Sequence, residues 1–145
     1  MADSPLNVAR HLRLTAAGAN SLVAAAVAKA AEMAKPQCIA VVDDGGNLLA
    51  FARMDGAKVL SIESAIRKAA TAASSRAPTG SIQGELEFRL AHATSGRLVN
   101  LKGGLPIVVD GITIGGIGVG SQTGDEDLEV ARSALRAIEN AQQFE

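Results

Sequence analysis

Reactive side chains are few in this sequence, and most of them fall in three places. Arg53-Met54-Asp55-Gly56 puts two opposite charges and a glycine at one corner of the chain. Lys68 neighbours an apolar helical stripe, and Arg89 and His92 belong to an irregular stretch from 74 to 105. Arginine suits the planar two-oxygen contact with a carboxylate. His92, Asp55 or a Lys68 withdrawn from water can each be tuned toward neutral pH by burial and charged neighbours, and so move a proton. This inventory points to an enzyme of a catabolic pathway acting on a small anionic carboxylate, enol or imine. Tautomerisation, hydration or deamination of that type needs no redox cofactor. Arg53, Asp55, Lys68 and His92 are the catalytic candidates, and Arg89 is a substrate-binding one. Each also has a plainer role: Arg53 and Asp55 as a surface ion pair worth about 0–1 kcal/mol, Lys68 as a lysine snorkelling to water, His92 as a hydrogen-bonded surface group.

Other chemistries are excluded by spacing. In Gly115-Gly116-Ile117-Gly118-Val119-Gly120 the dinucleotide pattern fails in every register, because Ser121 and Thr123 stand where its third glycine belongs. Lys102 precedes Gly103-Gly104 rather than following them, so no phosphate loop forms. One cysteine and two distant histidines do not make a zinc site. No Gly-x-Ser-x-Gly elbow supports a hydrolytic triad. Cys38 lies in the apolar run Cys38-Ile39-Ala40-Val41-Val42 and reads as a small core group. His11 reads as a solvated or interface residue. Asp125, Glu126 and Asp127 complement the positive end of a helix dipole, which accounts for them without a metal.

Composition narrows the partners. The chain has 145 residues, 48% of them hydrophobic and 20% charged, a formal net charge of −1, no Trp, no Tyr and three Phe. It is long enough for one domain with its own core, spanning 1–145. Without a basic footprint or stacking rings, nucleic acid is not an expected partner. No apolar stretch approaches the ~18 residues of a membrane span, and Met1-Ala2-Asp3-Ser4-Pro5 lacks a basic segment followed by an apolar run. With a single cysteine, a reducing cytoplasm is the expected compartment.

The elements that must position these groups follow from periodicity. An alanine-rich helix over 15–35 carries Leu22, Val23, Val27, Ala30, Ala31 and Ala34 at steps of three and four, with Thr15 as N-cap and Pro36 as stop. Its small residues allow it to lie flat on a sheet. Ile39–Val42 and Leu48–Phe51 flank Asp43-Asp44-Gly45-Gly46-Asn47, a hairpin. A second helix from Val59 to about Ala73 has the stripe Ile62, Ala65, Ile66, Ala69, Ala70 and Ala73. Ser81 to about Ala91 can form a short helix inside the irregular stretch, and Leu98–Leu101 a short strand or extended segment. Asp110-Gly111 between β-branched runs predicts a second hairpin. Strict alternation there puts Gly116 and Gly118 with Ile112 and Ile114, opposite Gly115, Ile117 and Val119. Thr123-Gly124-Asp125-Glu126 opens a last helix with a capping box, buried along Ala131, Ala134, Leu135, Ile138 and Ala141.

Several of these words together resemble one family. Ala40-Val41-Val42-Asp43 with its glycine turn, Leu49 through Ala57 containing Arg53-Met54-Asp55-Gly56, Ala65-Ile66-Arg67-Lys68-Ala69, Gly103-Gly104-Leu105-Pro106 and Gly115-Gly116-Ile117-Gly118-Val119 resemble the GlcG/HbpS family, which includes the C-terminal haem-binding domain of PduO proteins. The resemblance covers nearly the whole chain. It implies an α/β (α+β) domain, profilin-like in layout, with an antiparallel sheet flanked by helices, assembling into homo-oligomers. Matching positions are Asp43, Arg53, Asp55, Lys68, Gly103, Gly104, Gly115 and Gly118; Gly103 and Gly104 join Arg89 as substrate-binding candidates. It also implies an alternative function, binding of haem or another tetrapyrrole against the sheet and the 78–105 segment, with His92 as the axial-ligand candidate.

Overall fold

The computed structural model describes residues 7–145, so the Met1–Pro5 opening lies outside the described residues. Four strands form one antiparallel sheet in the order β2-β1-β4-β3, built from β1 (Cys38–Asp43), β2 (Leu48–Arg53), β3 (Gly104–Val109) and β4 (Ile112–Gly120). Both predicted hairpins are present, and β1 and β4 are joined at the centre. Helix α2 (Ser61–Ser75) covers one face, while α1 (Ala16–Glu32) and α4 (Gly124–Leu135) cover the other. A short helix α3 (Leu86–Ala93) lies in the segment between α2 and β3. The result is a three-layer α+β domain.

The two faces have different cores. Ile39 and Val41 of β1 pack with Leu105, Ile107, Ile117 and Val119 against Leu22 and Ala26 of α1 and Val130 and Leu135 of α4. On the other side Cys38, Ala40 and Val42 meet only Ala65, Ala69 and Ala73 as buried apolar partners. This second core is thin because α2 touches the sheet directly. A Cβ on Gly116 would stand 2.2 Å from the Ala69 carbonyl oxygen, and one on Gly118 would stand 2.0 Å from that of Ala65. The glycines of β4 therefore admit a helix backbone.

Four details depart from the sequence expectations. Ile114 packs with Ile117 and Val119, not on the face of Gly116 and Gly118, because a bulge between Ile107 and Val108 adds a residue to β4 and reverses its phase. Helix α1 ends at Glu32, and Ala34, at φ 56, turns away from the stripe to become exposed. Helix α3 starts at Leu86 rather than Ser81, since Gly84 takes φ 70. Helix α4 stops at Leu135, and Ala141 instead forms an isolated bridge with Val109. Thr15 and Thr123 cap as expected, the latter in a full capping box with Glu126.

Candidate functional site

Lys68 does not reach solvent. It sits on the buried face of α2 at 4% exposure, where its Nζ donates to the Val119 carbonyl at 2.9 Å and to Asp127 Oδ2 at 3.1 Å. Asp127, at the start of α4, is 2% exposed. Its Oδ1 accepts from the Gln122 backbone N–H at 3.1 Å. The buried Gln37 amide nitrogen, turned toward its two acceptors, donates to Asp127 Oδ1 at 2.8 Å and the Gly120 carbonyl at 2.7 Å. Burial pushes the Asp127 carboxyl up, against the pull of Lys68 and of the amide donors. Gly103 and Gly104 wrap this pair: a Cβ on Gly103 would stand 2.9 Å from Asp127 Cβ and 3.1 Å from Lys68 Nζ, and one on Gly104 would stand 2.6 Å from the Lys68 carbonyl oxygen. Lys68, Gly103 and Gly104 thus come together around an ion pair that fastens α2 to β4 and α4. Sequence reasoning missed Asp127 as the partner, because its place in the first turn of α4 already explained it.

The other candidates stand apart from this pair. Arg53 and Asp55 are exposed where β2 ends, Arg53 opposite Cys38 in the register. Burial raises the Cys38 thiol above its usual range despite the opposing pull of Arg53, which keeps it a thiol. Arg89 is exposed and pairs with Glu85 one helical turn away at 3.2 Å. His92 is exposed on α3.

Open space lies at the opposite end of the sheet, around the β1–β2 turn. Asp43 Oδ1 accepts from the backbone N–H of Gly45 and of Asn47, both at 2.9 Å, which closes the turn. Asp44 is left free to face outward. A cleft of about 550 Å³ runs from Asp44, Gly45 and Gly46 past Ala70, Thr71 and Ser74 of α2 to Arg97 and Leu98. A second, of about 430 Å³, is lined by His11, Asp44, Ser74, Arg76, Ile112 and Thr113. They share Asp44 and Ser74. The wall beyond α2 is held by Val99 N–H donating to Thr71 Oγ1 at 3.1 Å and by Arg67, which donates to the Gly96 carbonyl at 2.5 Å.

Three side chains here can act on a ligand. His11 Nε2 lies 2.9 Å from Asp44 Oδ2. Arg76 occupies the left-handed C-cap of α2 at φ 57, a position that favours glycine, and lines the second cleft. Arg97 lines the first and spends its Nε on the Thr94 carbonyl at 3.0 Å. Neither arginine has an ion-pair partner among the described residues. None of Arg53, Asp55, Lys68, Arg89, His92, Gly103 or Gly104 lines either cleft.

Fold and clefts together define a small α+β domain with a ligand-sized recess at one end of its sheet. The chain belongs to the HbpS-like family: the family profile described as "Haem degrading protein HbpS-like" matches residues 14–136. An uncharacterised 15.0 kDa protein of Citrobacter freundii is 36% identical over 127 residues, covering 84% of this chain and 89% of that one. The crystal structure of HbpS superposes with a TM-score of 0.78 at 37% identity, over 95% of this chain and 99% of that one. The structure of PduOC in complex with haem superposes with a TM-score of 0.80 at 27% identity, over 92% of this chain and 100% of that one.

Proposed function

We propose that this chain binds haem, or a closely related tetrapyrrole, in the two joined clefts around Asp44 and Ser74. The observation that carries the reading is the His11–Asp44 contact at 2.9 Å inside a recess that also holds Arg76. Membership of a family described by haem degradation, and likeness to PduOC solved with haem, favour the same ligand.

The residues present fit the group. Each cleft is within the usual ~300–1,000 Å³ of ligand pockets, and the shared wall joins them into a longer recess. Small residues of α2, Ala70 and Ser74, leave room for a flat ring, with Leu98 and Ile112 as apolar contacts. Arg76 and Arg97 are suited to the two propionates. A metal-ligating histidine commonly gives its other ring N–H to a carboxylate, which fixes the tautomer and raises ligand basicity. With Nε2 held by Asp44, the Nδ1 lone pair of His11 is the one left for iron. His11 therefore replaces His92 as the axial-ligand candidate. Haem iron, when bound, supplies one-electron and oxygen chemistry; the protein's part is ligation, orientation and charge neutralisation.

The test is a haemin titration. Lacking Trp and Tyr, the apoprotein absorbs almost nothing near 280 nm, so the bound chromophore dominates the spectrum. A Soret band that saturates at a fixed ratio is expected. His11→Ala shifts that band and weakens binding, Asp44→Ala weakens it by roughly 10–100-fold, and His92→Ala leaves both unchanged. A featureless titration of the wild-type chain overturns the proposal, and loss through His92→Ala alone overturns the ligand assignment.

A further inference from the structure

Helix α3 buries none of its residues. A helix this short is not stable in water by itself, since isolated helices below ~12–15 residues are marginal. Here it is carried on a loop whose ends are tied together. Thr79 Oγ1 donates to the Leu101 carbonyl at 2.5 Å and accepts from Gly104 N–H at 2.9 Å. Asn100 bonds both the N–H and the carbonyl of Ile82, at 3.0 and 2.6 Å. These bonds fix the stem, yet nothing among the described residues covers the outer face of α3. That face shows Phe88 at 72% exposure, with Leu86 at 53% beside it.

The stripe through Phe88 has a particular order. Glu85, Phe88, Arg89 and His92 are all exposed and are spaced three, one and three apart, so they lie along one side of the helix. Laid antiparallel on a second copy of itself, with the two-fold axis midway between Phe88 and Arg89, this stripe is self-complementary. Glu85 then faces His92 of the second copy, and Phe88 faces Arg89 of the second copy, a guanidinium over an aromatic ring. A parallel arrangement instead sets each charge against its own kind. Two-fold interfaces need this kind of self-complementary patch.

We infer that the Glu85–Phe88–Arg89–His92 face of α3 is the contact of a two-fold dimer of this chain. At about 12 Å of helix, the contact is smaller than the ~800 Å² per partner of a standard interface, so by itself it is weak and concentration-dependent. None of the four residues lines either cleft, so the inference is independent of the haem proposal.

Sedimentation equilibrium of the full chain from micromolar to millimolar concentration tests it. The wild type is expected to show a concentration-dependent step of twofold in mass. Phe88→Glu removes that step with its melting temperature unchanged, as befits an exposed residue. Glu85→Arg weakens the association by about tenfold or more, and adding His92→Glu restores it by reversing the pair. A wild type that stays at monomer mass overturns the inference. So does a Phe88→Glu variant that keeps the wild-type step, or a double variant no tighter than Glu85→Arg alone. A monomer whose Phe88 is instead required for binding vesicles of phosphatidylglycerol and phosphatidylcholine also overturns it. The haemin titration of Phe88→Glu is expected to match wild type, so the two proposals fail separately.

Discussion

The most constrained side chain in the molecule is Lys68, and its constraint is electrostatic. An ammonium withdrawn from water is tolerable only when paired and hydrogen-bonded, and Asp127 with the Val119 carbonyl meets that condition. Removing one partner leaves the other charge buried alone. Lys68→Met is therefore expected to destabilise the domain by about 3–5 kcal/mol, whereas Lys68→Met with Asp127→Leu recovers most of the loss because the orphaned carboxylate is gone. Urea unfolding reads this as a lowered midpoint for the single variant and a restored one for the double. A single variant within about 0.5 kcal/mol of wild type contradicts the assigned role. The closeness of Lys68 to an apolar stripe was legible from the helical spacing of Ala65 and Ala69. Its partner was not, since it lies 59 residues away and wore a sufficient explanation as a capping-turn acid.

Among the elements, the joint between α2 and β4 carries the strictest steric demand. Strand glycines signalled a close approach in the sequence, but a helix, a subunit and a ligand were equal candidates there; the contact of Gly116 and Gly118 with Ala69 and Ala65 identifies the helix. Alternation alone also misplaced Ile114, because a one-residue bulge leaves no mark in an apolar run. Gly118→Ala would force its methyl to within 2.0 Å of the Ala65 oxygen and 2.5 Å of the Ala69 nitrogen, backbone on both counts. Neither atom can swing aside, so α2 must lift from the sheet. The expected loss is about 3 kcal/mol, a fall of roughly 10 °C in Tm for a chain of this size. Gly45→Ala is the control: its methyl meets only the Asn47 side-chain amide at 3.0 Å and the Asp43 carboxylate at 3.4 Å. Differential scanning calorimetry should separate the two, and equal melting temperatures would show that α2 is not pinned there.

At the scale of the whole molecule, the sheet separates architecture from binding. Arg53 pairs with Cys38 at one end of β1, while the Asp43 turn and both clefts lie at the other, about 17 Å away at the usual strand rise. The glycine turn and the stripe of α2 were each legible, but the recess between them was not. It is assembled from an N-terminal histidine, a hairpin turn, the far half of a helix and a loop, with no spacing in common. This separation makes binding and stability independently adjustable. Ser74 is exposed and lines both clefts, so Ser74→Trp fills the shared wall without entering either core. Surface changes of this kind shift stability by about 0.5 kcal/mol or less, and the melting temperature is expected to stay close to wild type. Haemin binding is expected to weaken by tenfold or more, because an indole occupies the space between Ala70 and Ile112. The variant also carries the chain's sole Trp, and any haem that still docks beside it must quench its fluorescence. Wild-type affinity with an unquenched indole would place the tetrapyrrole away from these clefts, leaving the His11–Asp44 pair without a ligand to hold.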